Sequence, residues 1–183
     1  MRRLRIILLA VAVLVTSGSG WGVVGDSVTH DAREELVGRG AVVYSAPGVF
    51  IRLGRPAVRR LVRTGHERIV IELGLMDVSF RATAGELRHR LRAVMRDDLD
   101  GVACVVWTDL KTTSAVHPQW PARSGEFNQI LRDLAEEYGV HVARWSVIAA
   151  RHPDWFRPDG IHLVARGQLG YARYLEGRVD HFC

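Results

Sequence analysis

Residues 21–30 read Trp-Gly-Val-Val-Gly-Asp-Ser-Val-Thr-His. A short apolar run ends at the corner Gly25-Asp26-Ser27. A run of this kind reads as a buried strand. Glycine followed by small polar residues reads as the turn from that strand into a helix. The corner has two uses, and both stay open at the level of sequence. Ser27 or Thr29 caps the helix, or Ser27 stands there to react.

The same punctuation recurs along the chain. Apolar, β-branched runs lie at "AVVYSA" (41–46), "RIVIELG" (68–74), "GVACVVWT" (101–108) and "VHVARW" (140–145). Helical stretches separate them, near Arg33–Val37 and Pro56–Arg63. Thr83-Ala-Gly-Glu86 is a capping box that opens a helix with Leu87, Leu91, Val94 and Met95 on one face. Ser124 is the expected cap of the next helix, which turns Phe127, Ile130, Leu131, Leu134 and Tyr138 inward and stops at Gly139. A last helix is expected over about 165–175. Strands that are apolar on both faces and alternate with helices make a parallel sheet covered on both sides. The expectation is an α/β fold, a three-layer α/β/α sandwich on five parallel strands, in one domain over residues 21–183. Reactive groups in such sheets gather at the carboxyl ends of the strands.

The chain has 183 residues and a formal charge of +5. Arg2, Arg3 and Arg5 precede the apolar run Ile6–Val15, and "TSGSG" follows it. A basic head, a short apolar middle and small residues read as a secretory signal in residues 1–20, cut or kept as a membrane anchor through residues 6–15. An apolar first strand is the alternative. Without residues 1–20 the balance is 22 basic against 20 acidic side chains, a charge of +2. That is no nucleic-acid footprint. The two cysteines, Cys104 and Cys183, are consistent with one disulfide in an exported protein, or with one buried thiol and one thiol in the tail. Their spacing is not that of a metal site.

The loop before the last helix carries Asp159-Gly160-Ile161-His162. A serine hydroxyl needs a base to take its proton, and the base is commonly a histidine held in one tautomer by a carboxylate. Asp159 and His162 supply that pair, and Ser27 lies at the carboxyl end of the first strand. Alone, each block is weak: Ser27 could cap a helix, and Asp159 could belong to a turn.

Together, "GDSVT" and "DGIHL" resemble the nucleophile and base blocks of the SGNH (GDSL-like) hydrolase family, across essentially the whole of residues 21–183. The resemblance implies a flavodoxin-like SGNH fold with Ser27 as nucleophile, Asp159 as orienting acid and His162 as base. "HPDWF" and "GQLGYARYL", which flank "DGIHL", look like the SGNH domains of cell-envelope acyltransferases. The family also implies an oxyanion hole made by the Ser27 amide, a glycine after the second strand and an asparagine after the third. Gly48 in "SAPGVF" matches the glycine. The third segment reads Gly74-Leu75-Met76-Asp77, so Met76 stands where asparagine is expected, and methionine donates no hydrogen bond. Losing one such donor costs on the order of 100- to 1000-fold in turnover. Another donor, from the backbone or a residue such as Asn128, could stand in. The Ser27 and Gly48 amides could serve alone, or the domain could be a glycan-binding module. Asp26, Gly74 and Asp77 have supporting places, Asp77 as a partner of loop amides.

The resemblance implies an exported serine esterase for small acyl esters, of the acetyl type and possibly on carbohydrate, or an O-acyltransferase with the same triad. It implies no cofactor and no metal. The rival classes are the glycan-binding module and a different flavodoxin-like binding protein in which Ser27 and His162 coincide by chance. Asp109 and Lys111 lie where a substrate could pass. Trp107, Trp120 and Trp155 could stack on a sugar, and Arg52 could hold an anionic group. The histidines at 66, 89, 117, 141, 152 and 181 show no metal-ligand spacing.

Overall fold

The computed structural model describes residues 20–113 and 118–183. Most of the signal-like segment 1–20, and His117, fall outside them. Five strands, β1 (Trp21–Gly25), β2 (Val42–Ser45), β3 (Arg68–Glu72), β4 (Cys104–Thr108) and β5 (His141–Ala143), form one sheet in the order β2-β1-β3-β4-β5. Every pairing is parallel. The central strands are buried nearly throughout; Val23, Ile69, Val70, Ile71, Val106 and Trp107 are at most 1% exposed. The edges β2 and β5 are only partly covered, and they are the two shortest strands.

Among the described residues, eight helices flank the sheet: α1 (Ser27–Asp31), α2 (Arg33–Gly38), α3 (Ile51–Arg63), α4 (Leu75–Ser79), α5 (Ala84–Asp97), α6 (Trp120–Tyr138), α7 (Trp145–Arg151) and α8 (Ala165–Phe182). α2 packs on α8, while α5 packs on both α3 and α6. With the sheet between, this is the expected α/β/α sandwich. The capping box of α5 forms with both of its hydrogen bonds, and α6 stops at Gly139 in a left-handed conformation.

Several helix boundaries differ from the sequence expectation, those of α3 and α7 for a tertiary reason. α3 starts at Ile51 with Pro56 inside it, because the buried Asp77 carboxylate accepts the Ile51 amide at 2.8 Å and caps the helix from another part of the chain. α6 starts at Trp120. Ser124 is buried within it, and its hydroxyl donates back to the Trp120 carbonyl at 2.7 Å. α7 begins at Trp145, where the fifth strand was expected to end; Asp109 accepts from the Ser146 amide and hydroxyl, both at 2.6 Å, and caps it. α8 runs on to Phe182, and Cys183 after it is joined to Cys104 at the start of β4. That disulfide spans 79 residues. Closing a loop of this length is worth roughly 4–5 kcal/mol in chain entropy.

Candidate active site

The question raised by Gly25-Asp26-Ser27 has a local answer. Asp26 is the cap: its Oδ1 accepts from the Val28 amide at 3.1 Å. Thr29 is engaged elsewhere, donating to Glu72 Oε2 at 3.0 Å and meeting the Tyr171 hydroxyl at 3.2 Å. Ser27 is the first residue of α1, 7% exposed, and its hydroxyl makes no hydrogen bond among the described residues. Gly25 is required by contact. A Cβ there would lie 2.1 Å from Thr29 Oγ1 and 3.0 Å from Glu72 Oε2.

The base side is built by one loop. Asp159 accepts the amides of Ile161 (2.8 Å) and His162 (2.9 Å) on Oδ1, and its Oδ2 lies 2.9 Å from His162 Nδ1. Partial burial works to raise the Asp159 pKa. The two amides and the imidazole outweigh it, holding the carboxyl below the usual aspartate value. The loop is fixed on two flanks. Lys111 Nζ donates to the Gly160 carbonyl at 2.7 Å and sits 4.4 Å from the Phe156 ring centroid. On the other flank Asp31, the last residue of α1, accepts from the Leu163 amide at 2.8 Å and from Arg157 at 3.2 Å. The helix headed by Ser27 is therefore bonded directly to the loop that carries His162. No hydrogen bond joins Ser27 to His162 among the described residues.

The two segments that the resemblance marks for an oxyanion hole follow β2 and β3. Gly48, at φ +78°, sits in the loop before α3. Gly74-Leu75-Met76-Asp77 opens α4, with Gly74 at its cap. Asp77, fully buried, ties the two loops together: it accepts from the Ile51 amide, and from Arg90 at 2.7 Å. Asn128 is not free to stand in for a missing donor. Its Oδ1 accepts from the Leu110 amide at 2.7 Å, and its Nδ2 donates to the Leu110 carbonyl at 2.8 Å.

Beneath Ser27 lies a buried acid pair. Glu72 Oε2 accepts the Asp26 amide (3.1 Å) and the Thr29 hydroxyl. Among the described residues, the buried Asp26 Oδ2 has no hydrogen-bond partner. Burial pushes Glu72 up to about 7 despite those hydrogen bonds. Burial, then the charge of Glu72, pushes Asp26 well above its ordinary value. Burial likewise lowers Lys111, against the pull of Asp159. A small cavity of about 20 Å³, lined among others by Val28, Glu72, Leu110, Lys111 and Ile161, lies between the acid pair and the base loop. It has room for about one water molecule.

The remaining candidates separate cleanly. Trp107 is in the core, with its indole N–H donating to the Leu73 carbonyl at 3.1 Å. Trp120 is buried and donates to the Lys111 carbonyl. Trp155 stacks on His152 at 4.0 Å. Asp109 is buried at the cap of α7, and burial raises its pKa. Among the described residues no cluster of histidine, cysteine and acidic side chains could hold a metal, and no helix is long and apolar enough to cross a membrane. Glu72, Asp31 and Arg90 join the site only through the fold. Of the three, Glu72 alone leaves a signal in the sequence, as an acid closing an otherwise apolar strand.

No family model matches the chain, and no curated protein matches it. Solved structures do. The C-terminal catalytic domain of peptidoglycan O-acetyltransferase A from Streptococcus pneumoniae, solved with a methylsulfonyl adduct, aligns with a TM-score of 0.73 at 17% identity, covering 88% of this chain and 93% of that one. An acetyl xylan esterase from Geobacillus stearothermophilus aligns at 0.72 and 14%, covering 89% and 95%. A lipase/acylhydrolase from Enterococcus faecalis aligns at 0.71 and 14%, covering 90% and 97%. At these identities the likeness is one of architecture, and it spans nearly the full length of each partner. The chain has the fold of the SGNH (GDSL-like) hydrolases.

Proposed function

We propose that the protein is an exported serine esterase or acyltransferase that handles small acyl esters of carbohydrate through an acyl-enzyme on Ser27. The observation that carries this reading is the His162–Asp159 pair, bonded at 2.9 Å on a loop that Asp31 ties to the helix headed by Ser27. His162 Nδ1–H donates to Asp159, which leaves Nε2 as the basic nitrogen. Nε2 takes the Ser27 proton as Oγ attacks the ester carbonyl. The amides of Ser27 and Gly48 face the developing oxyanion. The intermediate collapses, and the alcohol leaves with the proton held by His162. Water or a sugar hydroxyl then gives its proton to His162 and takes the acyl group, and the Ser27 oxygen leaves with that proton. The fold is shared with esterases and with an O-acetyltransferase domain, which supports the reaction class and leaves hydrolysis or transfer to whichever acceptor reaches the acyl-enzyme. The Cys104–Cys183 disulfide supports an oxidising, extracytoplasmic location.

Labelling by a fluorophosphonate probe tests the reading. The folded protein is expected to label, Ser27→Ala to lose all label, and His162→Ala to label at least 100-fold more slowly. Label that survives in Ser27→Ala would remove Ser27 from the mechanism. A second reading, a catalytically weakened glycan-binding domain, is favoured by Met76 together with the commitment of Asn128 to Leu110. A folded protein that takes no label would select it.

A further inference from the structure

The segments that follow Gly48 and Met76 each carry a phenylalanine, half-buried at Phe50 and exposed at Phe80, and the rings meet. Phe50 lies two residues after Gly48, and Phe80 four residues after Met76. Their centroids are 5.4 Å apart with planes inclined at 58°. Phe80 is 69% exposed, the most exposed large apolar side chain among the described residues. The backbone keeps it there. Arg81, directly after it, has φ +59°, and no other non-glycine residue described has a positive φ. A left-handed residue other than glycine is sterically costly and persists only where its surroundings enforce it. Here the Arg81 amide donates to the Val78 carbonyl at 3.2 Å, and the Ala82 amide to the Asp77 carbonyl at 2.9 Å. The same Asp77 holds the Phe50 loop through the Ile51 amide.

A cation completes the arrangement. The Arg52 guanidinium lies 5.9 Å from the Phe50 ring centroid. Arg52 also lines a concavity of about 210 Å³ with Arg55, His89 and Arg90. Arg55 is bonded to Asp97 and Asp98, and Arg90 to Asp77 and Glu86. Arg52 has no carboxylate partner among the described residues. An exposed aromatic face takes the C–H face of a sugar ring, and a guanidinium with a free fork takes a carboxylate. We propose that Phe50, Phe80 and Arg52 form a subsite for a pyranose ring bearing a carboxylate, so that the carbohydrate presented to Ser27 is an acidic polysaccharide. The proposal rests on the acyl-transfer reading for its purpose, and its test does not depend on catalysis.

The test is affinity electrophoresis of the full chain carrying Ser27→Ala, in gels containing polygalacturonate, neutral galactan or polyglutamate. Polygalacturonate is expected to retard the protein strongly, galactan weakly and polyglutamate little. In that background Phe80→Ala should raise the apparent Kd for polygalacturonate about tenfold, the scale of one lost aromatic contact. Arg52→Gln should raise it about threefold, the scale of an exposed ion pair. Both side chains are at the surface, and unchanged thermal melts would confirm intact folds. Retardation by polyglutamate equal to that by polygalacturonate would reduce the effect to bare charge and overturn the subsite. So would retardation by polygalacturonate that neither substitution weakens, or none at all. Fluorophosphonate labelling of the parent protein reports the catalytic reading separately. Label without retardation sinks the subsite alone, and retardation without label sinks the esterase alone.

Discussion

The loop with the proposed base, His162, and the segments of the proposed oxyanion hole are held in opposite ways. The Asp159–His162 pair on the base side is held by hydrogen bonds between near neighbours, the Ile161 and His162 amides donating to Asp159, while Lys111 and Asp31 pin the loop from farther along the chain. Its side chains are 37–41% exposed. The oxyanion side joins the segments of Gly48 and Met76 through a single carboxylate, that of Asp77, with no exposure at all. The first arrangement is local, wet and carries the full set of expected groups. The second is tertiary, dry and lacks the side-chain donor that the family resemblance implies. A locally bonded loop can lose one contact and keep its shape. An assembly that hangs on one buried ion loses its geometry with that ion.

The largest effect should come from the buried tie. Asp77→Ala leaves the Ile51 amide without its acceptor and Arg90 without its partner, and should cost about 3 kcal/mol. Urea unfolding with an unchanged m-value is the measurement, and a loss below 1 kcal/mol would mean that the two loops stand without Asp77.

The acid pair beneath both sides gives the next effect, and it depends on pH. Glu72 is raised from 4.5 to about 7, so the folded chain holds its proton more tightly than the unfolded chain does. Its stabilisation is complete below pH 4.5 and is lost as pH rises through 7. Between those limits the parent protein should lose on the order of 3 kcal/mol from this group. Glu72→Gln keeps the shape without the charge and should flatten that slope. Parallel pH–stability curves for the two proteins would show that Glu72 does not titrate in this range.

The missing donor comes third. Met76→Asn should raise ester hydrolysis on the order of 100-fold if the oxyanion side is what limits turnover. An unchanged rate in an active parent would mean that the Ser27 and Gly48 amides suffice. The smallest effect belongs to the base side. Asp31→Ala removes one of two flanking ties and should lower kcat/KM about tenfold, within the range for a small misplacement of a catalytic group. A loss above 1000-fold would break the contrast, because the base loop would then depend on a single tie as the oxyanion side does.

What could be read without coordinates follows the range of the forces. Asp159 and His162 stand three residues apart, so their partnership is legible in the chain, as are the capping box of α5 and the glycine stop of α6. Arg90 and Asp77 are 13 residues apart, and Asp31 and Leu163 are 132 apart. No spacing rule connects such pairs. The early start of α3 was hidden for the same reason: its cap comes from Asp77, 26 residues downstream, and Pro56 looked like the natural first residue.

The sequence by itself determined the alternation of strand and helix, and with it the parallel sheet, since continuous apolar strands must be covered on both faces. It also determined which loops carry reactive side chains. Tertiary structure decided what those side chains are bonded to. It made Asp26 the helix cap and left the Ser27 hydroxyl without a hydrogen bond among the described residues. It spent Asn128 on Leu110 and Asp109 on α7, and it buried Glu72 beside Asp26. The physical reason is that a hydrogen-bonding group taken out of water must find a partner wherever the fold brings one, and that place is set by packing rather than by position in the chain.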